Sequence, residues 1–183
     1  MIPRFVLCVA LATLAITSES ARSAEVPRGP VKEIPELALL DHFAGEWNNE
    51  VTVKTADDSE RTKTTGAATG EWILDGRFLE QTWSVEAKDG FPGLKGTTIR
   101  TYDPDRKKYR SWTFHSSGYT QADSGEWDEK ARTFTWTARD RARNLTTSTK
   151  SSFPEDGQEQ WSVVTKDADG KVVVEVTGTS SRR

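Results

Sequence analysis

The punctuation of this chain constrains its fold most: from Glu46 onward, runs rich in Thr, Val, Trp and Phe are closed again and again by Asp-Gly and Asp-Pro steps. Asp75-Gly76 suits a two-residue type I′ turn, Asp103-Pro104-Asp105 a longer loop, and Asp156-Gly157 and Asp169-Gly170 further turns. Links this short join antiparallel neighbours, because a parallel pair needs a long crossover. Strands are expected at Glu46 to Lys54, Arg61 to Leu74, Arg77 to Ala87, Gly96 to Tyr102, Lys108 to His115, Thr120 to Trp127, Thr133 to Arg139, Leu145 to Phe153, Gln158 to Lys166 and Lys171 to Thr179. The expected fold is all-β, an antiparallel up-and-down barrel of about eight to ten strands. Ahead of it, Ile34, Leu37, Leu40 and Phe43 recur at helical spacing and predict a short amphipathic helix able to plug one barrel end. It runs through the Gly45-Glu46-Trp47 step into the first strand.

Tight turns also fix which side chains share a face, since residues opposed in an antiparallel pair point the same way. If Asp75-Gly76 closes a hairpin, Trp72 opposes Leu79, Gly70 opposes Gln81 and Ala68 opposes Trp83. Asp103 opposite Lys108 brings Ile99 to Trp112 and Thr97 to Phe114; Trp127 opposite Phe134 brings Gly125 to Trp136. The apolar set is expected inside, where each large side chain contributes roughly 1.5 to 3 kcal/mol. The candidate ligand wall is therefore Trp72, Trp83, Ile99, Trp112, Phe114 and Trp136.

At 183 residues the chain has the length of one domain. Arg4 followed by the apolar run Phe5 to Ile16 reads as a cleavable export signal, with cleavage after Ser23 in Ala21-Arg22-Ser23. The run is short for a membrane span, so no lasting anchor is expected. The division is then 1–23 signal, 24–35 an extended proline-bearing linker, and 36–183 the barrel, with a secreted or periplasmic location. Cys8, the only cysteine, lies in the leader, so the mature chain has no disulfide and no thiolate chemistry. A formal charge of −3, with both signs interspersed, gives no general attraction to nucleic acid or anionic lipid.

Polar candidates are few. Glu71 falls opposite Glu80, an unfavourable pairing of like charges, and Arg100, on the next strand with Tyr102, is an available partner for Glu80. Functionally, Glu71 and Glu80 read as a cation site or acid/base pair and Arg100 with Tyr102 as a carboxylate clamp; structurally, the same residues read as a solvated charge ladder. His115 ends a strand before Ser116-Ser117-Gly118-Tyr119, at a barrel rim, where a polar rim role competes with a haem or metal ligand. His42 is placed to help cap the helix. Neither histidine has metal-site spacing. Ser116, Ser117, His115 and Asp123 lack the Gly-x-Ser-x-Gly turn of a triad. No phosphate-cradling loop occurs, so no cofactor and no metal is expected. Gly90-Phe91-Pro92-Gly93 reads as a turn over the barrel mouth, and Asn144-Leu145-Thr146 matches a glycan acceptor pattern. Two similar segments, Tyr102 to Trp112 and Trp127 to Trp136, are recurrent hairpin grammar, too few for propeller blades.

The stretch Gly70-Glu71-Trp72-Ile73-Leu74-Asp75-Gly76-Arg77-Phe78-Leu79-Glu80-Gln81, then Gly93-x-x-Gly96, Tyr102-Asp103 through Lys107-Lys108-Tyr109 to Trp112, and Gly178-Thr179-Ser180-Ser181-Arg182 near the end resemble the uncharacterised bacterial family called domain of unknown function 1579. The resemblance spans about Leu37 to Arg183. It implies a lipocalin-like (calycin) β-barrel, often secreted, and supplies no catalytic residue. It also implies that an arginine from the chain end, here Arg182, covers Trp47. The chain is richer in charge and Thr than a fatty-acid carrier needs.

Three functional readings stay open. One is a binding module for a small, partly apolar ligand held in the barrel interior. Another is a structural or protein-interaction barrel with a filled core. The third is a hydrolase or isomerase using Glu71, Glu80, Arg100 or His115, which requires at least two of these to converge in a pocket. No residue pattern fixes the oligomeric state.

Overall fold

The computed structural model describes residues 34–55, 61–155 and 157–183. The expected signal, all of the expected linker but its last two residues, and Asp156 of one expected turn lie outside the described residues.

A 3₁₀ helix, Pro35–Phe43, opens the fold. Pro35 presets its first turn, and Leu37, Leu40 and Phe43, each three residues apart, are buried. Three residues per turn stack such a row on one ridge, so the apolar spacing and the tight helix agree. Ten strands follow: β1 (Gly45–Thr55), β2 (Thr62–Ile73), β3 (Phe78–Val85), β4 (Leu94–Asp103), β5 (Lys108–His115), β6 (Thr120–Asp128), β7 (Thr133–Asp140), β8 (Leu145–Ser152), β9 (Glu159–Lys166) and β10 (Val172–Arg182). Each pairs antiparallel with its chain neighbour, and β1 pairs with β10 to close the barrel. Among the described residues, full closure leaves no strand edge unpaired.

The helix plugs one end. Leu37, Leu40 and Phe43 pack with Leu79, Tyr109, Phe134, Trp136 and Phe153, and the Phe43 ring lies 5.2 Å from Phe153 and 5.4 Å from Phe134. Hydrogen bonds tie the helix to the wall: Trp72 Nε1 donates to Asp41 Oδ1 (2.7 Å) and Tyr109 Oη to the Glu36 carbonyl (3.0 Å). Gly45, at φ +92°, turns the chain from helix into β1. Arg182 lies over the Trp47 ring at 4.5 Å, as the resemblance implied, and donates to the Ala44 and Asp41 carbonyls. A cation there also complements the carbonyl end of the helix. His42 does not cap: its ring stacks on Phe153 (4.5 Å) and Trp127 (5.4 Å).

Within hairpins every expected pair occurs: Trp72 with Leu79, Ala68 with Trp83, Ile99 with Trp112, Thr97 with Phe114 and Gly125 with Trp136. The face assigned to β4 and β5 is corrected. β3 pairs with β4 so that Leu79 meets Arg100 and Trp83 meets Gly96. This sends Gly96, Thr98 and Arg100 inward, and Ile99 outward beside Glu80. Carried across β5, the same alternation turns Tyr109, Ser111 and His115 inward and Trp112 and Phe114 outward, where Phe114 is 47% exposed.

Inward indoles lie against glycines on the next strand. Trp83 opposes Gly96, Trp136 opposes Gly125 and Trp161 opposes Gly178, and a methyl built on any of the three would come within 2.3 to 2.4 Å of the ring. The missing side chains are the space the indoles occupy.

Candidate ligand-binding lumen

Behind the aromatic plug the interior turns polar. Gln81, Ser111, Asp123, Ser151, Glu159 and Ser180 are all buried, and by register all face inward with Arg100. Arg100 Nη1 donates to Gln81 Oε1 at 2.9 Å. Its guanidinium lies 4.2 Å over Phe43 and 5.9 Å from Trp136. Burial lowers its pKa to about 10, opposed by the charges of Glu159 and Asp123, so it stays cationic at neutral pH. Asp123 accepts from Ser111 Oγ (3.1 Å) and Gln121 Nε2 (2.7 Å); Glu159 accepts from Ser151 and Ser180. Burial nevertheless raises both carboxyl pKa values, outweighing their hydrogen-bond donors and the Arg100 charge. Asn49 Oδ1, buried on β1, has no hydrogen-bond partner among the described residues.

Away from the helix, burial of the inward face is uneven. Trp161, Val163, Val176 and Thr149 point inward from the middle of their strands, yet each is only partly buried. Trp83 and His115 are likewise part-exposed. The partial exposure is confined to part of the concave face, since Val51, Val53, Thr64, Ala138 and Thr147, inward in the same half, are buried. Polar groups in this half pair with one another. Trp83 Nε1 donates to Thr98 Oγ1 (3.2 Å), which shares a hydrogen bond with Thr113 Oγ1 (3.1 Å), and Trp161 Nε1 donates to Ser180 Oγ (3.0 Å). His115 stands edge-on between Trp83 (5.2 Å) and Tyr119 (5.3 Å), and burial lowers its pKa.

The expected site residues divide by face and level. Trp72 and Trp136 belong to the plugged end and Trp83 to the opposite half, all inward. Ile99, Trp112 and Phe114 lie on the outer face; Trp112 carries the Arg110 guanidinium at 5.9 Å. Glu71 and Glu80 oppose each other on that outer face. Arg100 is not their partner, because it is inside, and Tyr102 does not complete a clamp with it: its ring packs on Tyr109 (5.0 Å) near Glu36. His115 faces Gly96, four residues along β4 from Arg100. The four polar candidates thus do not converge. Ser116 and Ser117 are exposed and Asp123 is engaged by Ser111 and Gln121, so the triad geometry is not formed. Among the described residues no group of His, Cys, Asp and Glu is placed to hold a metal ion.

Gln81, Glu159 and Trp161 were not singled out from sequence as site residues, and Asp123 only as a member of the triad that does not form. An isolated Glu between polar neighbours on a strand reads as surface, and only the closed barrel turns Glu159 inward. Two open clefts of about 580 and 720 Å³ lie over β10, β1 and β2, but their charged groups, Glu50, Lys63, Glu86 and Arg183 among them, are exposed.

Two solved structures share the fold. An S-type phycobiliprotein lyase from Guillardia theta is 11% identical, with 83% of this chain and 94% of that chain covered and a TM-score of 0.60. Rv2717c from M. tuberculosis is 13% identical, with 82% and 98% covered and a TM-score of 0.63. Identities this low carry the architecture only. No functionally curated protein matches the chain. Residues 33–179 match the family described as "Protein of unknown function (DUF1579)", and the chain belongs to that family.

Proposed function

We propose that the barrel binds one small, partly apolar molecule in its lumen, taken in from the end opposite the 3₁₀ helix. The observation that carries this reading is the partial exposure of inward, mid-strand Trp161, Val163, Val176 and Thr149 beneath a fully packed plug. Apolar walls with a few converging polar groups are the usual chemistry of such sites. As part of the same reading, the chain is exported by its Phe5 to Ile16 segment, and sequencing of the mature N-terminus near Ala24 checks this. The neutral dye N-phenylnaphthylamine tests the lumen. It is expected to brighten and to quench the indoles on binding. Thr149→Trp, which fills the lumen between Trp136 and Val163, is expected to abolish the signal. No binding to the wild type, or equal binding to T149W, refutes the reading.

A further inference from the structure

Arg100 holds more unused hydrogen-bonding capacity than any pairing around it absorbs. A guanidinium has five N–H donors. Here Nη1 donates to the Gln81 amide oxygen and the plane rests on the Phe43 ring. Among the described residues no carboxylate oxygen lies within 4 Å of it. The two acids in the same interior do not fill the gap, because Asp123 is occupied by Ser111 and Gln121, and Glu159 by Ser151 and Ser180. Arg100 is only partly buried, so part of its surface remains accessible. That surface faces an internal space, since its strand neighbours Gln81, Thr98 and Ser111 are themselves buried.

We propose that Arg100 is the head-group clamp of the lumen and that its ligand is a small amphipathic acid, the carboxylate on the guanidinium and the apolar part running past Trp161 and Val163 toward the open end. The proposal rests on the lumen reading above and deepens it. A planar guanidinium fork matches a carboxylate bidentately. A cationic ligand would meet the Arg100 charge, and an alcohol would engage at most part of the fork. Burial already holds Asp123 and Glu159 toward their protonated forms, so an incoming anion meets less opposing charge than two carboxylates would ordinarily present. The competing account is that Arg100 only balances those two acids and needs no ligand.

Displacement of N-phenylnaphthylamine by decanoate, decanol and decylamine separates the two accounts. Decanoate is expected to displace the dye from the wild type at about 10- to 100-fold lower concentration than decanol, the range of a hydrogen bond to a charged group. Decylamine is expected to be the weakest of the three. Arg100→Gln is expected to bring the acid-to-alcohol ratio to about 1, with folding checked by far-UV circular dichroism. Where R100Q does not fold, Gln81→Leu, which removes the amide that holds the guanidinium in its orientation, is expected to shrink the ratio, and the wild-type ratio stands on its own. Equal displacement by acid and alcohol in the wild type overturns the clamp while leaving the lumen reading intact. Failure of the dye itself to bind overturns the lumen reading instead.

Discussion

Two tryptophans on adjoining parts of the same sheet are expected to respond oppositely to truncation. Trp136 is 3% exposed, stacks on Phe134 at 5.4 Å, and covers Gly125, which has no side chain to fill a vacated space. Trp136→Ala should therefore reach the upper part of the range for large core aromatics, about 3 to 5 kcal/mol. Trp112 lies on the outer face, paired with Ile99 and with exposed Ala122, and only partly buried. Trp112→Ala should cost about 1 kcal/mol or less, because its loss opens no cavity. For a domain of this size, about 2 to 4 °C of melting temperature corresponds to each kcal/mol. W136A should then melt roughly 6 to 20 °C below the wild type, and W112A within about 4 °C of it. Thermal and urea unfolding followed by far-UV circular dichroism reads both. A W112A loss equal to that of W136A would refute the face assignment, since a one-residue slip between β3 and β4 reverses every inward and outward side chain.

The glycine partners of the indoles are equally testable. Gly125→Ala sets a methyl 2.4 Å from the Trp136 ring and is expected to destabilise by about 1 to 3 kcal/mol, whereas a turn glycine such as Gly118 has nothing within 4 Å of that position. Equal tolerance of alanine at Gly125 and at ordinary mid-strand positions in urea unfolding would count against the close packing. Burial lowers the His115 pKa below its ordinary 6.5, so the folded state binds its proton less readily than the unfolded chain. Its stabilising contribution is complete above about pH 6.5 and is lost as pH falls through that value toward the folded pKa. Asp123 and Glu159, whose pKa values are raised, act with the opposite sign. The difference between wild type and His115→Gln isolates the histidine: the wild type should lose stability relative to the variant between about pH 7 and 5. A pH-independent difference would remove the assignment.

Much of the architecture is present in local chemistry. Asp75-Gly76, with both residues at positive φ, and the short links after β4 and β6 set the hairpin registers directly, so Trp72 with Leu79 and Gly125 with Trp136 follow from the residues alone. The plug is equally local, because Leu37, Leu40 and Phe43 repeat at the period of the helix they form. The candidate site is not local. The link from Val85 to Leu94 is too long to pass register from β3 to β4, and apolarity then favours the wrong face, choosing Ile99, Trp112 and Phe114 over Thr98, Arg100 and Ser111. Side-chain alternation determines which residues travel together on one face; it does not say which face becomes the inside. Barrel closure decides that, and it encloses Arg100, Asp123 and Glu159, each held by its own neutral partners: Gln81 for Arg100, Ser111 and Gln121 for Asp123, Ser151 and Ser180 for Glu159.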